Sequence, residues 1–165
     1  MAINGKVLVT YFSASKGKVT ERLAKRFAEL TDADLFEIVP EKPYSEADLK
    51  WVNPLARCNK EKFGKKEVEI AGRVSNIGDY DLILIGFPIW YGSAPNVVNT
   101  FVKAHDLSGK KIGLFATSGG SKIGKTLEKM QPYVSEDADL IDAKLFSAYS
   151  DDEELIEWVG ALSLS

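Results

Sequence analysis

The chain has 165 residues, 45% of them hydrophobic and 27% charged, with a formal net charge of −3. This is the length of one ordinary domain and the composition of a globular protein, which excludes an intrinsically disordered chain. The mild acidity argues against nucleic acid as the main partner.

No apolar run is long enough to cross a bilayer, and the first residues lack the apolar stretch of a signal peptide. Cys58 is the only cysteine, so no internal disulfide can form. A single domain over 1–165, without a membrane and in the reducing cytoplasm, is expected. Charge is uneven: Arg57 to Lys66 is basic, while Glu136 to Glu157 holds nine acidic residues against Lys144. Both stretches read as solvated surface.

In chain order, Lys6–Phe12 is a short β-favouring run of the kind covered on both faces. Val19, Leu23, Phe27 and Leu30 then mark one face of a helix. Asp34–Val39 reads as a second strand, stopped by Pro40. From Glu41 to Gly78 the pattern weakens, although Asn53-Pro54 has the form of a helix start. Tyr80–Gly86 is a third, apolar strand, and Pro95 opens a helix carrying Val98, Phe101 and Val102. Lys111–Thr117 is a fourth strand, Gly120–Val134 a further helix, Asp139–Phe146 a fifth strand and Asp151–Leu162 a last helix with its acids at the start. No internal repeat appears. Strands alternating with helices predict a parallel sheet covered on both faces. Ligands in such folds bind beyond the carboxyl ends of the strands, which directs attention to the loops after Phe12, Gly86 and Ala116.

The first loop, Ser13-Ala-Ser15-Lys16-Gly17-Lys18-Val19-Thr20, sets hydroxyls and a glycine before a helix, where free N–H groups and the helix dipole favour an anion. The second, Pro88-Ile89-Trp90-Tyr91-Gly92, places two large aromatics beside a glycine, an arrangement suited to a flat ring. The third, Thr117-Ser118-Gly119-Gly120-Ser121, runs into Lys122-Ile-Gly-Lys-Thr126 and so matches the pattern G-x-x-x-x-G-K-[ST]. Nucleotide hydrolysis also needs an acidic residue at a strand end to hold Mg²⁺. The first strand ends in Tyr11-Phe12 and the third in Gly86-Phe87, so the match reads as accidental.

Together these loops resemble the flavodoxin family, through Tyr11-Phe-Ser-Ala-Ser15, Gly86-Phe-Pro-Ile-Trp-Tyr91 and Ala116-Thr-Ser-Gly-Gly-Ser121, and the likeness runs from Val7 to the last helix. The resemblance implies a flavodoxin-like three-layer α/β/α sandwich with a five-stranded parallel sheet in the order 2-1-3-4-5. It also implies FMN held without covalent bonds. Carried over, Ser13, Ser15, Gly17, Val19 and Thr20 would bind the phosphate, with Lys18 an extra contact. Pro88, Ile89, Trp90, Tyr91 and Gly92 would border the ring, and Thr117, Ser118, Gly119, Gly120 and Ser121 its pyrimidine edge. No catalytic residue and no metal ligand is assigned.

Two departures bear on function. The first loop carries Lys16-Gly17-Lys18-Val19 where the family usually has a shorter Gly-x-Thr. The third lacks the aromatic that covers the second flavin face in many flavodoxins. The leading expectation is a low-potential electron carrier serving redox partner proteins. The alternatives are an FMN-dependent oxidoreductase, taking NAD(P)H and a small aromatic acceptor such as a quinone or nitro compound, and a flavodoxin-like binding domain without flavin. His105 reads as a cation near a helix end, Cys58 as a packed or exposed thiol, and Tyr44 and Trp51 as packing residues or a cover for the flavin edge.

Overall fold

The structure, a computed structural model, describes residues 5–14, 18–42, 44–45, 47–49, 56–57, 61, 68–118 and 122–164. Five strands, β1 (Val7–Tyr11), β2 (Asp34–Glu37), β3 (Leu82–Pro88), β4 (Lys111–Thr117) and β5 (Asp139–Leu145), form one sheet in the order β2-β1-β3-β4-β5. Every pairing is parallel. The helices whose bounds fall within the described residues are α1 (Val19–Thr31), α2 (Asn96–Lys103), α3 (Thr126–Met130) and α4 (Asp152–Leu164). This is the doubly wound sandwich that the alternation of strands and helices predicts, with the strand order that the resemblance to flavodoxins implies.

Burial follows from the position of each strand in the sheet. β1 and β3 lie inside it and are buried on both faces, hence their nearly continuous apolar runs, with Thr10 the polar exception in β1. The edge strand β2 is mostly exposed, and β5 turns Asp139 and Asp142 outward; charged edges of this kind discourage pairing with another chain. One face of the sheet packs Leu23 and Phe27 of α1 and Leu155, Trp158 and Val159 of α4 against Val9, Leu84 and Phe115. The other packs Val97, Val98 and Phe101 of α2 and Met130 of α3 against Leu8, Ile83 and Ile112. Phe115 fits under β3 because Gly86 has no side chain there: an added Cβ would stand 2.1 Å from its ring.

Several boundaries differ from the sequence reading. β3 continues through Phe87 to Pro88, since both residues stay in register with Ala116 and Thr117 of β4. β2 stops at Glu37, two residues short. The helix predicted from Gly120 to Val134 is reduced to α3 and a 3₁₀ turn over Gln131–Tyr133. Gly124 takes a positive φ of 51° just before α3, and Pro132 has no N–H with which to continue it. The helix start at Asn53-Pro54 lies outside the described residues, as do Trp51 and Cys58.

Candidate functional site

At the carboxyl end of β4, Thr117 meets both the segment after β3 and the start of α1. Pro88 is its register partner across the sheet, and the amide of Ile89 donates to its carbonyl at 2.8 Å. Its hydroxyl lies 2.8 Å from that of Thr20 in the first turn of α1, in a buried contact. Residues read separately as a phosphate ligand (Thr20), a ring border (Pro88, Ile89) and a pyrimidine contact (Thr117) are therefore neighbours. One of the two hydroxyls donates in this bridge, so the pair keeps one O–H for another acceptor.

In the first loop the Oγ of Ser13 is buried without a hydrogen-bond partner. Lys18 caps α1 in the left-handed region, φ 50° and ψ 40°, and its side chain makes no capping bond. The first-turn amides of α1 thus have no cap from the Lys18 side chain and, with the positive end of the helix dipole, present donors to an anion. Val19 is half-buried against the core below, so its contribution there is its amide rather than its side chain. Beside this loop a cleft of about 170 Å³ opens, with Ser13, Glu37, Pro40 and Tyr44 among its walls. Ser15 and Gly17 lie outside the described residues.

The second loop is a tight turn. The amides of Trp90 and Ser93 each donate to the other's carbonyl, at 2.9 and 3.2 Å, and Tyr91 and Gly92 between them have φ of 54° and 78°. Two consecutive positive φ values are the pattern of a type I′ turn, which glycine adopts without cost and tyrosine does not. Lys129 of α3 approaches the Gly92 carbonyl at 3.4 Å. Tyr91 is 36% exposed. Trp90 is half-buried and meets Phe12 and Tyr44 edge to face.

In the third loop Ser118 is half-buried, and Gly119, Gly120 and Ser121 lie outside the described residues. Thr126 is fully buried and its hydroxyl donates to the Ile123 carbonyl of its own turn. A P-loop threonine presents its hydroxyl oxygen to Mg²⁺, and the complete burial of Thr126 argues against that role.

The reading of His105 as a dipole-stabilised cation is corrected. It lies beyond the end of α2, buried, where its Nε2 accepts from the Val74 amide at 3.0 Å and its Nδ1 faces the Phe101 carbonyl at 2.7 Å. This is a neutral imidazole protonated on Nδ1. Burial holds its pKa below the ordinary value, the Phe101 carbonyl opposes that shift, and Arg73 adds to it. Tyr11, at the end of β1, has its phenol pushed up by burial and by Glu37 and Glu21. Among the described residues no group of three His, Cys, Asp or Glu side chains could hold a metal ion, and no helix is long and apolar enough to cross a membrane.

The flavodoxin family model matches residues 6–162. The chain belongs to the flavodoxin family. A chain from Bacteroides eggerthii DSM 20697, provisionally named a flavoprotein, shares 36% identity over 98% of this flavodoxin-family chain and 100% of its own, with a TM-score of 0.89. A flavoprotein from Lactobacillus acidophilus NCFM, solved in complex with FMN, is 22% identical over 94% of this chain and 99% of its own, at a TM-score of 0.65. Oxidised Flavodoxin 2 from Bacillus cereus is 16% identical over 97% and 99% of the two chains, at 0.56. No curated protein matches.

FMN fits the donors that this flavodoxin-family chain presents. The orphaned Ser13 hydroxyl, the first-turn amides of α1 that the Lys18 side chain does not cap and the second hydroxyl proton of the Thr20–Thr117 pair are donors that a phosphate group would match. The sequence reading missed Phe12, Arg57 and Glu61, which surround Trp90 or support its neighbour Tyr44. The only signal for the last two was the four-residue spacing of opposite charges.

Proposed function

We propose that this chain binds FMN across its three carboxyl-end loops and carries electrons between redox partner proteins. The observation that supports this reading best is the convergence of all three loops on Thr117, with anion donors on the α1 side and aromatics on the β3 side. The bound flavin would supply the one- and two-electron chemistry. The protein's part is positioning. Ser13, the first-turn amides of α1 and Thr20 hold the phosphate, with Lys18 beside them. Pro88, Ile89, Trp90, Tyr91 and Gly92 would border the ring, and Thr117 and Ser118 would contact its polar edge. The single cysteine suits the reducing cytoplasm.

One feature favours the oxidoreductase as a second reading. The residues after β4, Thr117 to Lys122, include no aromatic of the kind that covers the second flavin face in many flavodoxins, and an uncovered face is what NAD(P)H or a flat acceptor needs in order to stack. The deciding experiment is reconstitution of the apoprotein with FMN, followed by stepwise anaerobic reduction and by NADH and NADPH addition. Two separate one-electron steps without oxidation of added pyridine nucleotide support the carrier. A single two-electron step with rapid nucleotide oxidation supports the oxidoreductase. No FMN binding overturns both.

A further inference from the structure

Three rings meet above the end of β1. Phe12 follows β1, Trp90 follows β3, and Tyr44 comes from the connection between β2 and β3. Centroids lie 5.4 Å apart for Tyr44–Trp90, 5.7 Å for Phe12–Trp90 and 5.8 Å for Phe12–Tyr44, with Trp90 perpendicular to both partners at 89° and 88°. Edge-to-face pairs with this geometry attract, so the plane of Trp90 has two rings to keep it.

Tyr44 is fixed in turn by a polar group. Its hydroxyl donates to Glu61 Oε1 at 2.5 Å, and the Arg57 guanidinium lies 4.0 Å from its ring centroid. Arg57 Nε is 3.2 Å from Glu61 Oε1, and Nη1 donates to the Lys42 carbonyl at 2.7 Å. The backbone carbonyl of Glu61 accepts from Asn96 Nδ2, at the start of α2, at 2.8 Å. Glu61 is only 8% exposed. A carboxylate withdrawn from water is costly unless paired and hydrogen-bonded, and a buried pair adds little net stability compared with apolar packing. What this group supplies is direction: a phenol bonded below and stacked by a guanidinium has one placement, and Trp90 packs on it.

We propose that Tyr44, Arg57 and Glu61 are positioning residues of the flavin site, holding Trp90 in the plane that borders the ring. This assigns a role to part of the weakly patterned stretch between β2 and β3. It rests on the proposed placement of FMN against Trp90.

The test compares Tyr44→Phe, Glu61→Ala and Glu61→Gln in the full chain. Tyr44→Phe keeps the ring and removes only the hydroxyl. Glu61→Gln keeps an acceptor for that hydroxyl, which Glu61→Ala does not. The readouts are near-ultraviolet circular dichroism of the apoprotein, with Trp90→Phe identifying the Trp90 signal, the FMN dissociation constant, and the potential of bound FMN. Tyr44→Phe and Glu61→Ala are expected to diminish the Trp90 signal and weaken FMN roughly tenfold, the size of one lost hydrogen bond to a charged group. Glu61→Gln should stay within about threefold of wild type by keeping a neutral hydrogen bond. The potential should move towards that of free FMN, by about 30 mV for each tenfold by which oxidised-form affinity is lost in excess of reduced-form affinity. An unchanged Trp90 signal, unchanged affinity and potential, or Glu61→Gln behaving like Glu61→Ala each overturns the proposal. Absence of FMN binding by wild type overturns the placement on which it rests, a failure distinct from variants that bind as wild type does.

Discussion

Thr20 and Thr117 show at the residue scale how a hydroxyl serves packing and recognition together. Their mutual bond is buried, so removing one partner strands the other. Thr20→Val is expected to destabilise the apoprotein by about 1–3 kcal/mol, whereas Thr20→Val with Thr117→Val should cost less than the sum of the two single changes. Urea denaturation of the three variants checks this, and additive losses would show that the contact carries no coupling.

His105 leads to a prediction in pH. Its folded pKa is lowered, chiefly by burial, so between the folded value and the ordinary value near 6.5 the unfolded chain binds more protons. The stability it contributes is therefore complete above the ordinary value and is lost as pH falls through the folded one. Protonation also removes the acceptor of the Val74 amide. Unfolding free energy measured from pH 7.5 downwards should decline through this window in wild type, and His105→Leu should flatten that part of the curve.

At the scale of elements, the turn after β3 depends on backbone freedom more than on space. A Cβ on Gly92 would come no closer than 3.5 Å to Lys129 Nζ, but φ of 78° is unfavourable for any side chain. Gly92→Ala is expected to lose about 1–2 kcal/mol by urea denaturation and to weaken FMN binding. Gly78→Ala, where nothing lies within 4 Å and no positive φ is needed, should stay within about 0.5 kcal/mol of wild type. Equal effects of the two would remove the turn from the account. The element scale is also where sequence reading and structure part. The strong periodicity of α1 and the unbroken apolar run of β3 were legible because burial on one face or two leaves a direct trace in residue type. The helix from Gly120 was overextended because a glycine in the left-handed region and a proline in the next turn acted against an otherwise permissive pattern.

At the scale of the whole molecule, a ligand that binds only the folded chain stabilises it by mass action. FMN at about one hundred times its dissociation constant should add roughly 2.7 kcal/mol. For a chain of this size that is a rise in Tm of about 5–11 °C, measured by thermal melts with and without FMN. A Tm unmoved by FMN would count against the flavin site as a whole.

Fold class and the sites of the three loops were determined by the sequence alone, because a buried parallel strand, an amphipathic helix and a hydroxyl- or glycine-rich loop each require particular residues locally. The sheet order followed from family resemblance, not from spacing. Only the tertiary structure decided that Thr20 meets Thr117, that Trp90 is held between Phe12 and Tyr44, and that His105 is a neutral acceptor instead of a cation. The physical reason is the same in each case. These contacts join residues far apart in the chain, and whether a hydroxyl, a ring or an imidazole is satisfied, stacked or charged depends on what the fold brings against it.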